Sequence, residues 1–258
     1  MKNLKNFHEY LISISIMSKK SILLLVTILT VSTINAQWWG GKKIKGNGNM
    51  TTETRNTGDY QGIKCAGSMD YILVADTEGK ITLEGESNLL EHIVTEIKGG
   101  NLIVKVEKGV NLSPSWNKTI KVTIPFEDIN NVSLAGSGDL WNEDKIKTNS
   151  LDVSLAGSGD VILNLETSSL EGSLAGSGDL TLKGNTNNLK VKIAGSGDIH
   201  AFGLQANNTV ASIAGSGDIE VVSNKSLKAR VSGSGDIEYK GNPEKEDTKV
   251  SGSGTISN

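Results

Sequence analysis

The chain has 258 residues with 30 Gly, 3 Pro and 11 aromatics, and this Gly-rich, aromatic-poor balance disfavours an ordinary globular core while suiting aliphatic layers that turn at tight corners. No Gly-x-y period is present, which excludes collagen, and 36% hydrophobic against 21% charged residues excludes a disordered chain. The formal net charge is −3, and without residues 1–36 it becomes −6 (22 basic against 28 acidic residues), an acidity that speaks against nucleic acid as the partner, since phosphate binding needs a basic face.

In chain order, Ser18-Lys19-Lys20 precedes an apolar run from Ser21 to Ile34 and the small-residue end Ile34-Asn35-Ala36. This pattern predicts a signal peptide over 1–36, cleaved after Ala36, with Met17 an alternative start. A membrane anchor is the rival, but the run of about 14 residues is shorter than the roughly 20 that a spanning helix needs. The export signal implies a periplasmic, outer-membrane or extracellular protein. Residues 37–59 carry Trp38-Trp39-Gly40-Gly41 and polar sequence without a sustained period, and read as a flexible leader. From Tyr60 the pattern is strand-like, at Ile72–Val74, Ile81–Leu83, Leu102–Val106 and Ile120–Ile124. One helix-like patch, Asn88–Val94, has Asn88 as its candidate cap and precedes a strand around Thr95–Lys98. Residues 60–130 form a less regular section expected to cap one end of the repeat region.

Residues 131–258 contain a repeat. Gly-Ser-Gly-Asp begins at Gly136, Gly157, Gly176, Gly195, Gly215 and Gly233, with a seventh copy ending in Thr at Gly252. The spacing near 19 residues means one supersecondary unit per repeat, stacked on its neighbours. Two positions before the first Gly stand Leu134, Leu155, Leu174, Ile193, Ile213, Val231 and Val250, and one position after the Asp stand Leu140, Val161, Leu180, Ile199, Ile219 and Ile237. Apolar alternation on both sides of the motif predicts two strands joined at a Gly corner. The fold class is therefore all-β, a β-solenoid of about 19-residue coils, with an antiparallel sandwich as the rival. A degenerate copy at Cys65-Ala66-Gly67-Ser68-Met69-Asp70 places Cys65 in the aliphatic column as a buried hydrophobe. Met69 replaces the second Gly, which suggests a different corner there. The charged segment Asn242–Asp247, with Pro243, reads as a loop that interrupts the stack.

The motif also bears on chemistry. Asp139, Asp160, Asp179, Asp198, Asp218 and Asp236 stack on one edge, and neighbouring carboxylates repel by about 1 kcal/mol in water. Relief comes from solvent, hydrogen bonds or a bound cation, and these six are the candidate Ca2+ ligands, although no second acid recurs at a fixed offset. Structural corners are the simpler reading. Phosphate cradling fails because these Gly open strands rather than a helix. His92 and His200 read as solvated surface groups. For an enzyme of the polysaccharide lyase or hydrolase type, the stacked pair Glu220 and Glu238 is the candidate, but Arg55 and Arg230 are the only Arg and the other acids are scattered.

Tyr60-Gln61-Gly62-Ile63-Lys64-Cys65-Ala66-Gly67, Asn88-Leu89-Leu90-Glu91-His92-Ile93 and Lys121-Val122-Thr123-Ile124-Pro125, followed by the Leu-Ala-Gly-Ser-Gly-Asp repeats, resemble the head GIN domain family of autotransporter-adhesin-like secreted proteins of Bacteroidetes-type bacteria. The resemblance covers Tyr60 to Ile256. It implies a right-handed solenoid and a cell-envelope role, with no catalytic residues to carry over. The expected function is a non-catalytic, exported binding or structural module of adhesin type, with a β-helix carbohydrate-active enzyme as the alternative. The partner classes left open are a glycan, an envelope or surface protein, and a second copy of the chain.

Overall fold

The computed structural model describes residues 41–258; the signal peptide read at 1–36 and the tryptophans at 38 and 39 lie outside the described residues. The N-terminal section holds β1 (Lys42–Lys45), β2 (Met50–Asn56), β3 (Gly62–Gly67), β4 (Asp70–Ala75), β5 (Lys80–Glu86), the helical turn α1 (Ser87–Leu90), β6 (Ile93–Lys98), β7 (Asn101–Val106), β8 (Val110–Ser113) and β9 (Lys121–Phe126). The repeats supply β10 (Asn131–Gly136), β11 (Leu140–Asn142), β12 (Ile146–Gly157), β13 (Val161–Gly176), β14 (Leu180–Gly195), β15 (Ile199–His200), β16 (Leu204–Gly215), β17 (Ile219–Val222), β18 (Ser226–Gly233), β19 (Ile237–Lys240), β20 (Lys245–Gly252) and β21 (Ile256–Ser257).

Two parallel stacks result, as a solenoid requires and a sandwich would not. One runs β7–β3–β10–β12–β13–β14–β16–β18–β20 and the other β9–β4–β11–β13–β14–β15–β17–β19–β21, the long strands β13 and β14 belonging to both. The register leaves the repeats aligned residue for residue: Cys65, Leu134, Leu155, Leu174, Ile193, Ile213, Val231 and Val250 form one column. All but Val250 are buried, and they join the residues after each Asp in a continuous aliphatic core. Each step removes the same side-chain faces from water, which is the main term favouring the fold.

Stacking order departs from chain order at the N-terminal end. The degenerate coil β3–β4 packs directly under β10–β11, and β7 and β9, which come later in the chain, lie on its other side. There the parallel pattern stops: β6 pairs antiparallel with β7, β5 with β9, and β2 with β5. The section expected to cap one end therefore does so with antiparallel strands, which also cover the edges that a parallel stack leaves open.

Three local readings change. Residues 42–45 and 50–56, read as part of a flexible leader, are strands because β8 and β5, distant in sequence, supply their partners. The helix-like patch contracts to one turn that begins after Glu86 with no side-chain cap, and Ile93 already opens β6. Asn88 instead accepts from the Asn47 amide N–H at 3.0 Å and donates to the Lys45 carbonyl at 2.8 Å. Within the charged segment 242–247, Lys245–Asp247 continue the stack in register with Ser226–Lys228, so the interruption is confined to the residues before Lys245.

Candidate functional site

At each corner the first Gly has positive φ, for example +137° at Gly176. A Cβ there would lie 2.1 Å from the carbonyl oxygen of Gly157 in the coil below. Gly178 has no unusual φ, yet its Cβ would lie 2.0 Å from the oxygen of Gly159. The two Gly are thus required for different reasons, conformation plus approach at the first and approach alone at the second. The Gly176 oxygen accepts both N–H groups of Ser196 and Gly197, at 2.9 and 3.1 Å, and the same pair of bonds recurs at neighbouring corners. Met69 fits this scheme rather than a different corner. Gly67 keeps φ at +126°, and its oxygen accepts from Ser137 and Gly138 as in the coils above. Among the described residues no Gly corner lies beneath Met69, so its side chain has room and is buried where the series of Gly corners ends.

The acidic ladder is satisfied by the chain itself. One Oδ1 of each Asp accepts the backbone N–H of the Asp in the next coil: Asp139 from Asp160 at 3.2 Å, Asp160 from Asp179 at 3.1 Å, Asp179 from Asp198 at 3.3 Å, Asp198 from Asp218 at 2.7 Å, and Asp218 from Asp236 at 2.7 Å. Asp236 ends the series by accepting from both the N–H and the hydroxyl of Thr255, at 2.6 and 2.9 Å. Among the described residues no N–H of a further coil bonds Thr255, and its hydroxyl turns to Asp236 instead. The six Asp named as Ca2+ candidates are therefore brought together as hydrogen-bond acceptors. Among the described residues the one mixed group with ligand atoms close enough to share an ion is Asp179, Asp198 and His200.

His200 is not a freely solvated group, since its Nδ1 lies 3.0 Å from Oε2 of Glu220. His92 is four-fifths covered and faces Glu107 at 3.2 Å. Glu220 and Glu238 do stand opposite one another in adjacent coils. Oε2 of Glu220 faces the His200 imidazole, and Glu238 is exposed. Cys65 is buried, and burial pushes its thiol well up, out of the reactive range.

A second corner was missed in the sequence. Thr167 donates its hydroxyl to the carbonyl of Ser169 or Asn149, both at 3.0 Å. Beyond it Asn207 donates to Oδ1 of Asn187 at 2.8 Å and Asn208 to Oδ1 of Asn188 at 3.0 Å. The recurrence of Thr, Ser and Asn midway between Gly motifs was the available signal.

The most site-like surface lies on the outer face of β10–β18. Alternation turns Ser133, Ser154, Ser173, Lys192 and Ser212 outward in one column and Ala135, Ala156, Ala175, Ala194 and Ala214 in the next. Along β12, β13, β14 and β16 these columns leave a groove of about 430 Å³ floored by Ala and bordered by the hydroxyls of Ser154, Ser173 and Ser212 and by Lys192. A polar depression of about 290 Å³ adjoins it, lined by Asn131, Asp152, Glu171, Ser173 and Lys192. Glu171 bridges Lys190 and Lys192 at 3.0 and 3.1 Å, and these ammonium groups hold its carboxyl below the usual range. Oδ1 of Asn131 is buried without a hydrogen-bond partner at the margin of this depression. The arrangement can seat an elongated ligand against methyl groups and hydroxyls.

Residues 59–243 match the family described as "Putative auto-transporter adhesin, head GIN domain". Among solved structures the chain is similar to a protein of Parabacteroides distasonis ATCC 8503 described as a "putative lipid binding protein", with 29% identity, a TM-score of 0.71, and coverage of 84% of this chain and 99% of that one. It is also similar to a "putative adhesin" of Bacteroides fragilis NCTC 9343, with 26% identity, a TM-score of 0.72, and coverage of 83% and 99%. No curated protein matches.

Proposed function

From the premise that this chain belongs to the head GIN domain family, we propose that it is an exported, non-catalytic binding module of the bacterial cell surface, whose ligand lies along the outer face of β10–β18. The observation that carries the reading is the groove itself. Four successive coils (β12, β13, β14 and β16) each add an outward Ala to it at a step of about 4.8 Å, and Glu171, Lys192 and Asn131 supply polar anchors along one side. Such a surface suits an extended, repeating ligand with alternating polar and apolar faces, and a glycan chain has that character. The relative described as lipid-binding, together with the apolar floor, favours an acyl chain as the second reading.

A glycan array and a fatty-acid displacement assay on the chain from Gln37 onward decide between the two. Binding to either class is expected to be lost in Ala175→Trp, which fills the groove from an exposed position without touching the core. Release of reducing sugar that disappears in Glu220→Gln or Glu238→Gln would replace this reading with the enzyme. Binding unaffected by Ala175→Trp would remove the ligand from this face.

A further inference from the structure

Away from the groove, the N-terminal section carries a second surface. Trp116 is 90% exposed at the tip of a turn, the most exposed of the large apolar side chains among the described residues. The turn is held firmly. Lys118 N–H bonds the Ser115 carbonyl at 3.0 Å, and Asn117 takes a left-handed φ of +58°. At its base the Glu86 carboxylate, itself 1% exposed, accepts the N–H and hydroxyl of Ser115 at 2.8 and 2.6 Å and the N–H of Gly48 at 2.5 Å. Lys118 ties the other side by donating to the Gly48 carbonyl. A large aromatic ring held out on an anchored turn is available to a partner outside the chain.

The partner's chemistry is indicated by what surrounds the turn. β1 lies parallel to β8 with Ile44 beside Leu112, and both are packed on the core. Alternation then turns Lys43 and Lys45 to the outside of this two-stranded sheet, and Lys42 is exposed as well. Lys45 stands opposite Ser113, three residues before Trp116, and the Gly109 carbonyl accepts from Lys42 N–H at 2.7 Å, which brings the exposed Lys108 alongside. No carboxylate pairs with Lys42, Lys43, Lys45 or Lys108 among the described residues. Unpaired Lys43 and Lys45 on the outside of this sheet, exposed Lys42 and Lys108 at the start of β1 and before β8, and an exposed indole three residues beyond Ser113 give a chain of net negative charge a local cationic surface that complements an anionic bilayer. The cations meet headgroups and the ring settles at the boundary with the hydrocarbon.

We propose that the β1–β8 sheet and Trp116 form a docking surface for an anionic lipid membrane, separate from the ligand groove. The surface seats the solenoid by its N-terminal section and leaves the repeat face free.

The test is cosedimentation of the chain from Gln37 onward with phosphatidylglycerol vesicles and with phosphatidylcholine vesicles. Selective pelleting with phosphatidylglycerol is expected, falling severalfold as salt rises from about 50 to about 300 mM because surface charge is screened. Trp116→Ala and the triple variant Lys42→Glu, Lys43→Glu, Lys45→Glu should each lower the bound fraction about tenfold, with Trp116→Phe intermediate. All the altered side chains are exposed, and circular dichroism melting checks that the variants stay folded. Equal pelleting with both vesicle types, or pelleting unchanged in Trp116→Ala and in the triple Lys variant, would overturn the proposal. So would loss of glycan binding in Trp116→Ala with vesicle binding intact.

Discussion

At the scale of single residues, the corner motif shows one sequence position obeying different rules at different heights in the stack. A methyl at Gly178 would have to enter the Gly159 carbonyl, and backbone on both sides cannot give way. Gly178→Ala should therefore cost about 3 kcal/mol or more in urea unfolding, while Gly58→Ala, with φ of +100° and open space around it, should cost only the left-handed strain of about 1 kcal/mol. Met69 reverses the expectation. Restoring the repeat with Met69→Gly removes a buried side chain from the core below the last Gly corner and should destabilise by about 2 kcal/mol or more, although it makes the copy more regular. The Asp ladder separates hydrogen bonding from charge. Asp198→Asn keeps an oxygen for the Asp218 N–H at 2.7 Å and eases repulsion along the edge, so its unfolding midpoint should match or exceed that of the parent chain. Asp198→Ala orphans that N–H and should lose about 1 to 2 kcal/mol.

At the scale of elements, what the sequence reveals depends on whether an element's partner is a copy of itself. The repeat strands were legible because each pairs with the same pattern one period away, so the columns through Leu134 and Leu140 already contained their register. Cys65 was legible for the same reason, since it stands opposite Leu134. Strands β1 and β2 were not, because Lys42-Lys43-Ile44-Lys45 and Met50–Asn56 have little apolar period and take their form from β8 and β5. The ligand groove was half legible. Ala before the Gly is plain in the sequence, but its exposure depends on the facing direction of a strand whose inner column had first to be identified. The turn bearing Trp116 depends on Glu86, 29 residues from Ser115, and no local pattern announces that contact. This contact has a pH signature. Hydrogen bonds from Ser115 hold the Glu86 carboxyl below its ordinary value, so its contribution is fully present above the ordinary carboxylate range and is lost as pH falls through the depressed folded value. Urea midpoints of the parent chain and Glu86→Gln should differ at pH 7 and converge as the solution is acidified; a constant difference would show that Glu86 acts by shape alone.

At the scale of the whole molecule, a solenoid must solve the problem of its own ends, because every coil is a template for another. The two ends solve it differently. At one, antiparallel strands β2, β5 and β6 break the parallel pattern. At the other, the last coil keeps the register but abandons the core: Glu246 occupies the place of Leu227, Thr248 that of Ala229, and all eight residues of β20 are exposed. The Tyr239 hydroxyl donates to Glu246 at 3.1 Å, so the inward charge is held beside the core's edge rather than swung away. Asp247 pairs with Arg230 on the outer face and fixes the strand from that side. An inward carboxylate would have to be stripped of water for another strand to add above it, and that penalty keeps the edge unpaired. Glu246→Leu combined with Thr248→Val should remove the penalty and present a continuous apolar edge, so the weight-average mass in light scattering should rise with concentration above that of the parent chain. The single change Thr248→Val, which leaves the carboxylate in place, should not do this. If the double variant scatters like the parent, the polar residues of the last coil are not what keeps this end from pairing.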